Sequence, residues 1–130
     1  MIYLDSSALV KLALTEAESA ALSSWLADRP NLLRVSSPLA RVEVPRAVWR
    51  ADPGALPEAY KVTQRITPIL LTDEVLSRAA TTRPPSLSSP EAIHLASALV
   101  VRKELTTFVA YHKRLLDAAK GAGLETASPT

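Results

Sequence analysis

Met1-Ile2-Tyr3-Leu4-Asp5-Ser6-Ser7-Ala8-Leu9-Val10-Lys11-Leu12 is the stretch that decides the fold. Ile2, Tyr3 and Leu4 read as a short buried strand. Asp5 ends that strand, and Ser6 or Ser7 is positioned to cap the helix that follows. In open α/β sheets, ligands gather outside the carboxyl ends of the strands. Asp5 is therefore a carboxylate delivered to the place where such folds do chemistry. Its plainer role is that of a helix N-cap.

Strand and helix patterns alternate outward from this start. Helical spacing covers 6–13 and 16–28, with Thr15 and Glu18 at the separation of a capping box. A second strand follows at 32–36. Pro38 opens a helix to about residue 51, because proline is tolerated in a first turn, and Pro45 should kink that helix or split it. A turn at 52–54 leads to a helix over 57–66. The apolar run Ile69-Leu70-Leu71 reads as a third strand, and 73–80 as a short helix. A loop rich in proline and serine spans 83–90, and a long amphipathic helix runs from 90 to 104. A strand at 107–110, a helix at 112–119 and an edge strand at 124–127 complete the chain. Such βαβα alternation predicts a mostly parallel sheet with helices on both faces.

The composition bounds the function. The 130 residues suit one compact domain, and 48% of them are hydrophobic, enough for a sizeable core. Cysteine is absent, which excludes a disulfide framework, a zinc–thiolate site and a thiol nucleophile. The first apolar run is too short, and lacks the basic flank, for a signal peptide. No segment approaches membrane-spanning length, and the expected setting is cytoplasmic. The net charge of +2 and the isoelectric point near 9.2 permit a polyanionic partner without demanding one. Arg41, Arg46 and Arg50 fall on one predicted helix, and Arg102, Lys103, Lys113 and Arg114 cluster late in the chain.

Further polar residues recur at the ends of apolar segments. Glu43, in Val42-Glu43-Val44, lies on or beside a semi-buried helix face, unless it serves only as an ion-pair partner of Arg46. Glu91 stands in the first turn of the 90–104 helix, where the helix dipole favours an anion. His94, one turn on, reads as a packed core histidine. His112 repeats the position of Asp5 after another apolar strand, and a neutral imidazole can ligate a divalent metal, although Mg²⁺ prefers oxygen. Clustered carboxylates repel unless a cation neutralises them. A divalent ion there can activate water and stabilise a transferring phosphoryl group. No Gly-x-Ser-x-Gly elbow, Walker loop or Gly-x-Gly-x-x-Gly occurs.

Taken together, Ile2–Leu12, Val42-Glu43, Glu91-Ala92-Ile93-His94-Leu95-Ala96-Ser97-Ala98-Leu99 and Phe108-Val109-Ala110-Tyr111-His112-Lys113-Arg114-Leu115 resemble the PIN-domain toxins of the VapC type, in order and spacing over essentially the full length. The resemblance implies one PIN domain over 1–130, a three-layer α/β/α sandwich. It implies an endoribonuclease dependent on Mg²⁺ or Mn²⁺, the toxin of a type II toxin–antitoxin pair. Such a protein is usually a homodimer, is held in check by a cognate antitoxin and cuts a structured RNA such as tRNA or an rRNA loop. Asp5 matches the family's first acid and Glu43 its second, and Ser6 or Ser7 matches the supporting hydroxyl. Two positions depart from the pattern: Glu91 and His112 stand where the family usually carries Asp. Asp5, Glu43 and Glu91 are then the catalytic acids and, with His112, the metal ligands; Arg41, Arg46, Lys113 and Arg114 are candidates to hold the RNA backbone. With only 5% aromatic residues, recognition would rest on RNA shape and backbone rather than base stacking.

Two other classes compete. A PIN module that lacks two of the usual aspartates can bind RNA or antitoxin without efficient cleavage. A haloacid-dehalogenase-type phosphatase also carries its nucleophile after a first strand, but needs a second Asp two residues on, where this chain has Ser7.

Overall fold

Alternate residues of the first strand divide the core in two. A computed structural model describes residues 1–130. In it Ile2 and Leu4 of β1 (Ile2–Leu4) join one hydrophobic cluster and Tyr3 joins another. The period of two along a strand sends successive side chains to opposite faces. The same division holds in β4 (Thr107–Val109), where Val109 packs with Leu4 while Phe108 packs with Tyr3. Strands buried on both faces are the signature of a parallel sheet covered by helices.

The remaining elements, in chain order, are α1 (Ser6–Ala13), α2 (Ser19–Ala27), β2 (Arg34–Ser36), α3 (Ala40–Ala51), α4 (Leu56–Gln64), β3 (Thr67–Pro68), α5 (Asp73–Ala80), α6 (Ser89–Val100), α7 (Lys113–Gly121) and β5 (Thr126–Ala127). The sheet has five strands in the order β3-β2-β1-β4-β5, and every pair is parallel. Helices α1 to α4 supply Leu9, Leu22, Val44 and Ala59 to one face. Helices α5 to α7 cover the other with Ala79, Leu95 and Leu115. The expected three-layer α/β/α architecture is therefore present.

The chain builds outward from β1 to β3 and then returns to lay β4 against the opposite side of β1. That reversal is a topological switch point, and the crevice outside the carboxyl ends of β1 and β4 is where such folds bind ligands. Asp5 follows β1 there, and Tyr111 and His112 follow β4. The backbone ties the two ends together, Asp5 N–H donating to the Val109 carbonyl at 3.1 Å.

Several local expectations are revised. The third strand is Thr67–Pro68 rather than 69–71: Ile69 still donates to the Ser36 carbonyl, but Leu70 is 69% exposed. An edge strand tolerates Pro68, which has no N–H to give to a ladder. Helix α3 runs unbroken through a buried Pro45, held by the packing of Val44 and Val48 at 0% exposure. The box between Thr15 and Glu18 does not form, because Lys11 takes the Glu18 carboxylate at 2.8 Å and α2 begins without a side-chain cap. Helix α6 ends at Val100, four residues short of 104, and the chain then turns. No helix is long and apolar enough to cross a membrane.

Candidate active site

The site starts from the β1–α1 junction. Asp5, rather than Ser6 or Ser7, is the N-cap of α1: its Oδ1 accepts from Ala8 N–H at 3.0 Å. The two serines, in the first turn, are thereby freed to point elsewhere. Ser7 Oγ donates to Asp5 Oδ1 at 2.6 Å and accepts from Tyr111 N–H at 3.2 Å, joining the ends of β1 and β4. Ser6 Oγ donates to Glu43 Oε1 at 2.8 Å, joining α1 to α3. One Ser-Ser pair thus fastens both acids.

Asp5 is 4% exposed, and no basic side chain lies within ion-pair distance of it. Burial pushes its carboxyl above the usual range, against the pull of His94, the Ser7 and Ala8 hydrogen bonds and His112. The N-cap role and the buried, unpaired charge therefore coincide in one residue. Capping satisfies Oδ1 and leaves Oδ2 without a hydrogen bond.

Glu43 is half-buried and does not pair with Arg46. His94 Nε2 stands 2.8 Å from its Oε1. Burial raises the Glu43 carboxyl, but the hydrogen bond and electrostatic pull of the His94 ring and the Ser6 hydroxyl outweigh it and hold it below its ordinary value. His94, 3% exposed, is packed in the core as expected, yet its ring also spans Glu43 and the Tyr3 hydroxyl. Neither contact has a local sequence signal, since the partners are 51 and 91 residues away.

Glu91 lies apart from this pair. It closes a capping box with Ser88 at the start of α6, and Arg114 of α7 reaches its Oε1 at 2.7 Å. Burial raises its carboxyl, while the Ser88 backbone and Arg114 more than compensate and hold it low. His112 is the N-cap residue of α7 with no capping hydrogen bond from its side chain, and its imidazole lines an open cleft with Ser6, Ser7, Glu43, Arg50 and Tyr111. That cleft encloses about 570 Å³. Burial, with the negative charges of Glu18 and Asp5 adding to it, pushes the Tyr111 hydroxyl up to about 12.

The basic candidates separate. Arg41 and Arg46 are exposed on α3 outside the cleft, whereas Arg50 lines it, because Glu43, Ala47 and Arg50 share one helical stripe. Lys113 and Arg114 instead border a larger hollow of about 970 Å³ with Arg78 and Arg83. Asp5 and Glu43 each keep one carboxylate oxygen free of protein hydrogen bonds, a donor chemistry that suits a hard divalent cation, which commonly takes one or two carboxylates and completes its shell with water and phosphate. No three acidic or histidine side chains converge closely enough to hold an ion among themselves.

No family model matches the chain. Individual proteins do. Ribonuclease VapC47 of Mycobacterium tuberculosis is 40% identical over 132 residues, covering 99% of this chain and 97% of that protein. Ribonuclease VapC35 of the same species is 40% identical over 131 residues with equal coverage. The crystal structure of Mycobacterium tuberculosis VapC20, a sarcin–ricin loop cleaving toxin, superposes with a TM-score of 0.76 over 99% of this chain and all of that one; at 16% identity the likeness is one of fold. With full-length relatives at this identity, the chain belongs to the VapC family of ribonuclease toxins.

Proposed function

We propose that residues 1–130 act as one cytoplasmic PIN unit that cuts a structured RNA, with Asp5 and Glu43 as the acids that hold a divalent cation. The VapC family of endoribonucleases generally depends on such an ion, and its members pair with VapB antitoxins and act on RNA. The observation that carries the reading is Asp5: a buried carboxylate without a basic partner, at the switch point of the sheet, fastened through adjacent serines to a second acid. A buried charge left uncompensated is costly, and a cation offsets that cost.

When bound, Mg²⁺ or Mn²⁺ supplies an activated water and charge stabilisation at the phosphoryl group. The chain's own residues do the rest. Ser7 and the α1 backbone orient Asp5 so that Oδ2 is its reactive atom. Ser6 and His94 hold Glu43 through Oε1 and leave Oε2 to the cleft. Arg50 lies at the same cleft to hold a phosphate of the RNA backbone, and His112 orients water or phosphate there. Glu91 keeps Oε2 free, but Arg114 already meets its charge at Oε1, so it joins as a ligand only in competition with that arginine. Structured RNA is the favoured substrate because VapC20, of the same fold, cleaves the sarcin–ricin loop; tRNA is the other candidate of this class. A homodimer and inhibition by the cognate antitoxin complete the proposal.

A specific observation favours a second reading, a module that binds RNA or antitoxin and cleaves weakly: Glu91 is already paired, and His112 brings no negative charge. Cleavage of total RNA by purified, antitoxin-free protein in Mn²⁺, in Mg²⁺ and in EDTA separates the two, with Asp5→Ala as the control. Discrete, metal-requiring fragments that vanish in Asp5→Ala are expected. Folded protein that cuts no better than Asp5→Ala would establish the second reading.

A further inference from the structure

Glu43 is held from behind by a buried pair that the reaction itself does not call for. Tyr3 Oη lies 2.8 Å from His94 Nδ1, and His94 Nε2 lies 2.8 Å from Glu43 Oε1. Tyr3 is 0% exposed and His94 3%, so neither has water as an alternative partner. The ring of Tyr3 is clamped by stacking on Phe108, with centroids 5.2 Å apart and planes 11° apart. Its hydroxyl is therefore fixed in space by the sheet, not by the site.

We propose that Tyr3 and His94 are positioning residues that lock the Glu43 side chain, so that it offers a single oxygen, Oε2, to a divalent cation. The proposal rests on the reading of Glu43 as a cation ligand. A carboxylate only accepts hydrogen bonds, so Nε2 must carry the proton directed at Glu43. In the neutral ring Nδ1 is then the acceptor, and the Tyr3 hydroxyl donates to it. Glu43 thereby sets the His94 tautomer, and Tyr3 satisfies Nδ1 and holds the ring in orientation, much as groups behind metal-bound histidines do. Here the histidine stands behind a carboxylate. Ser6 Oγ adds a second donor to Oε1 at 2.8 Å. With two donors converging on Oε1 and none on Oε2, bidentate binding by Glu43 would require breaking both contacts.

Two histidine replacements separate positioning from mere packing. In His94→Gln the amide nitrogen falls near the site of Nε2 and can still donate to Glu43. In His94→Asn the shorter side chain can place its amide oxygen near Nδ1, still accepting from Tyr3 but losing Glu43. Mn²⁺ affinity of the full chain without RNA, measured by calorimetry, should fall about tenfold in His94→Asn and stay within about threefold in His94→Gln, the scale expected for an outer-shell contact. Tyr3→Phe, which keeps the ring stacked on Phe108, should fall between them and carries the test if His94→Asn fails to fold. Nitrogen NMR of the metal-free protein should find the His94 proton on Nε2. Glu43→Gln should abolish the tighter binding. Unchanged Mn²⁺ affinity in Glu43→Gln would sink the ligand reading beneath the proposal. Loss in Glu43→Gln with unchanged affinity in both His94→Asn and Tyr3→Phe, or a proton found on Nδ1, would overturn the positioning role alone.

Discussion

The guanidinium of Arg114 stands 2.7 Å from Oε1 of Glu91, so the acid in the first turn of α6 is neutralised from within the chain. Glu91 is 14% exposed and Arg114 55%. The pair competes with any cation for the same carboxylate. Arg114→Gln should therefore raise Mn²⁺ affinity about two- to fivefold, the equivalent of a surface charge interaction of up to about 1 kcal/mol. Calorimetric titration checks this. Affinity that is unchanged or lower would mean that Glu91 takes no part in cation binding.

Ser88 fixes the same acid from the other side. Its hydroxyl accepts from Glu91 N–H at 3.3 Å while Glu91 Oε1 accepts from Ser88 N–H at 3.0 Å. Ser88→Ala removes half of that box and should cost about 1 kcal/mol of stability. Urea unfolding measures the loss. A change near zero would show that the proline at the first turn of α6 suffices to start the helix.

Asp5 sets a conflict between stability and activity. Its folded-state carboxyl is raised by burial, so the folded protein holds that proton more tightly than the unfolded chain. The resulting stabilisation is full below the ordinary carboxylate value and is lost as pH rises through the raised value. At neutral pH without metal, Asp5→Asn should therefore unfold at a higher temperature than the parent while losing cleavage. A divalent ion at about 100 times its dissociation constant should stabilise the parent by about 2.7 kcal/mol and leave Asp5→Asn unmoved. Equal metal-induced shifts in both proteins would remove Asp5 from the cation site.

Much of this was legible because the informative residues are neighbours. The apolar run of β1, ended by Asp5, fixes both β1 and α1 to the residue, and the helix expected over 73–80 is α5, Asp73–Ala80. The resemblance built on those segments also led to the right family. What was not legible is non-local. Lys11 diverts Glu18 from a cap, the sheet edge shifts β3 onto Thr67–Pro68, and neighbouring packing carries α3 through Pro45. Arg50 rather than Arg46 lines the cleft because only the tertiary packing of α3 decides which stripe faces it. The bond from His94 to Glu43 crosses two helices and could not be read from either.

His112 follows β4 and leaves a free imidazole on the cleft wall. His112→Asp adds a hard oxygen ligand and a negative charge beside Asp5, which favours Mg²⁺. Mg²⁺ affinity should rise about tenfold and cleavage with it, at some cost in stability from the added repulsion. Calorimetry and RNA cleavage in parallel test this. Tighter binding without faster cleavage would show that His112 itself contributes to the reaction, and no change in either would place it outside the cation's reach.

Arg50 and Arg46 sit one helical turn apart on α3, both exposed, and only Arg50 lines the cleft. If the cleft holds the RNA backbone, the two should differ although their charges are the same. Each phosphate contact releases condensed counterions and adds to the slope of log affinity against log salt. Arg50→Ala should weaken RNA binding and lower that slope by about 1, while Arg46→Ala should leave both close to the parent. The proteins to compare are Asp5→Asn backgrounds, in which the RNA stays intact during titration. Equal losses from the two arginines would show that RNA lies across the outer face of α3 rather than in the cleft, and no loss from either would shift the backbone contacts to Lys113, Arg114 and the larger hollow they border.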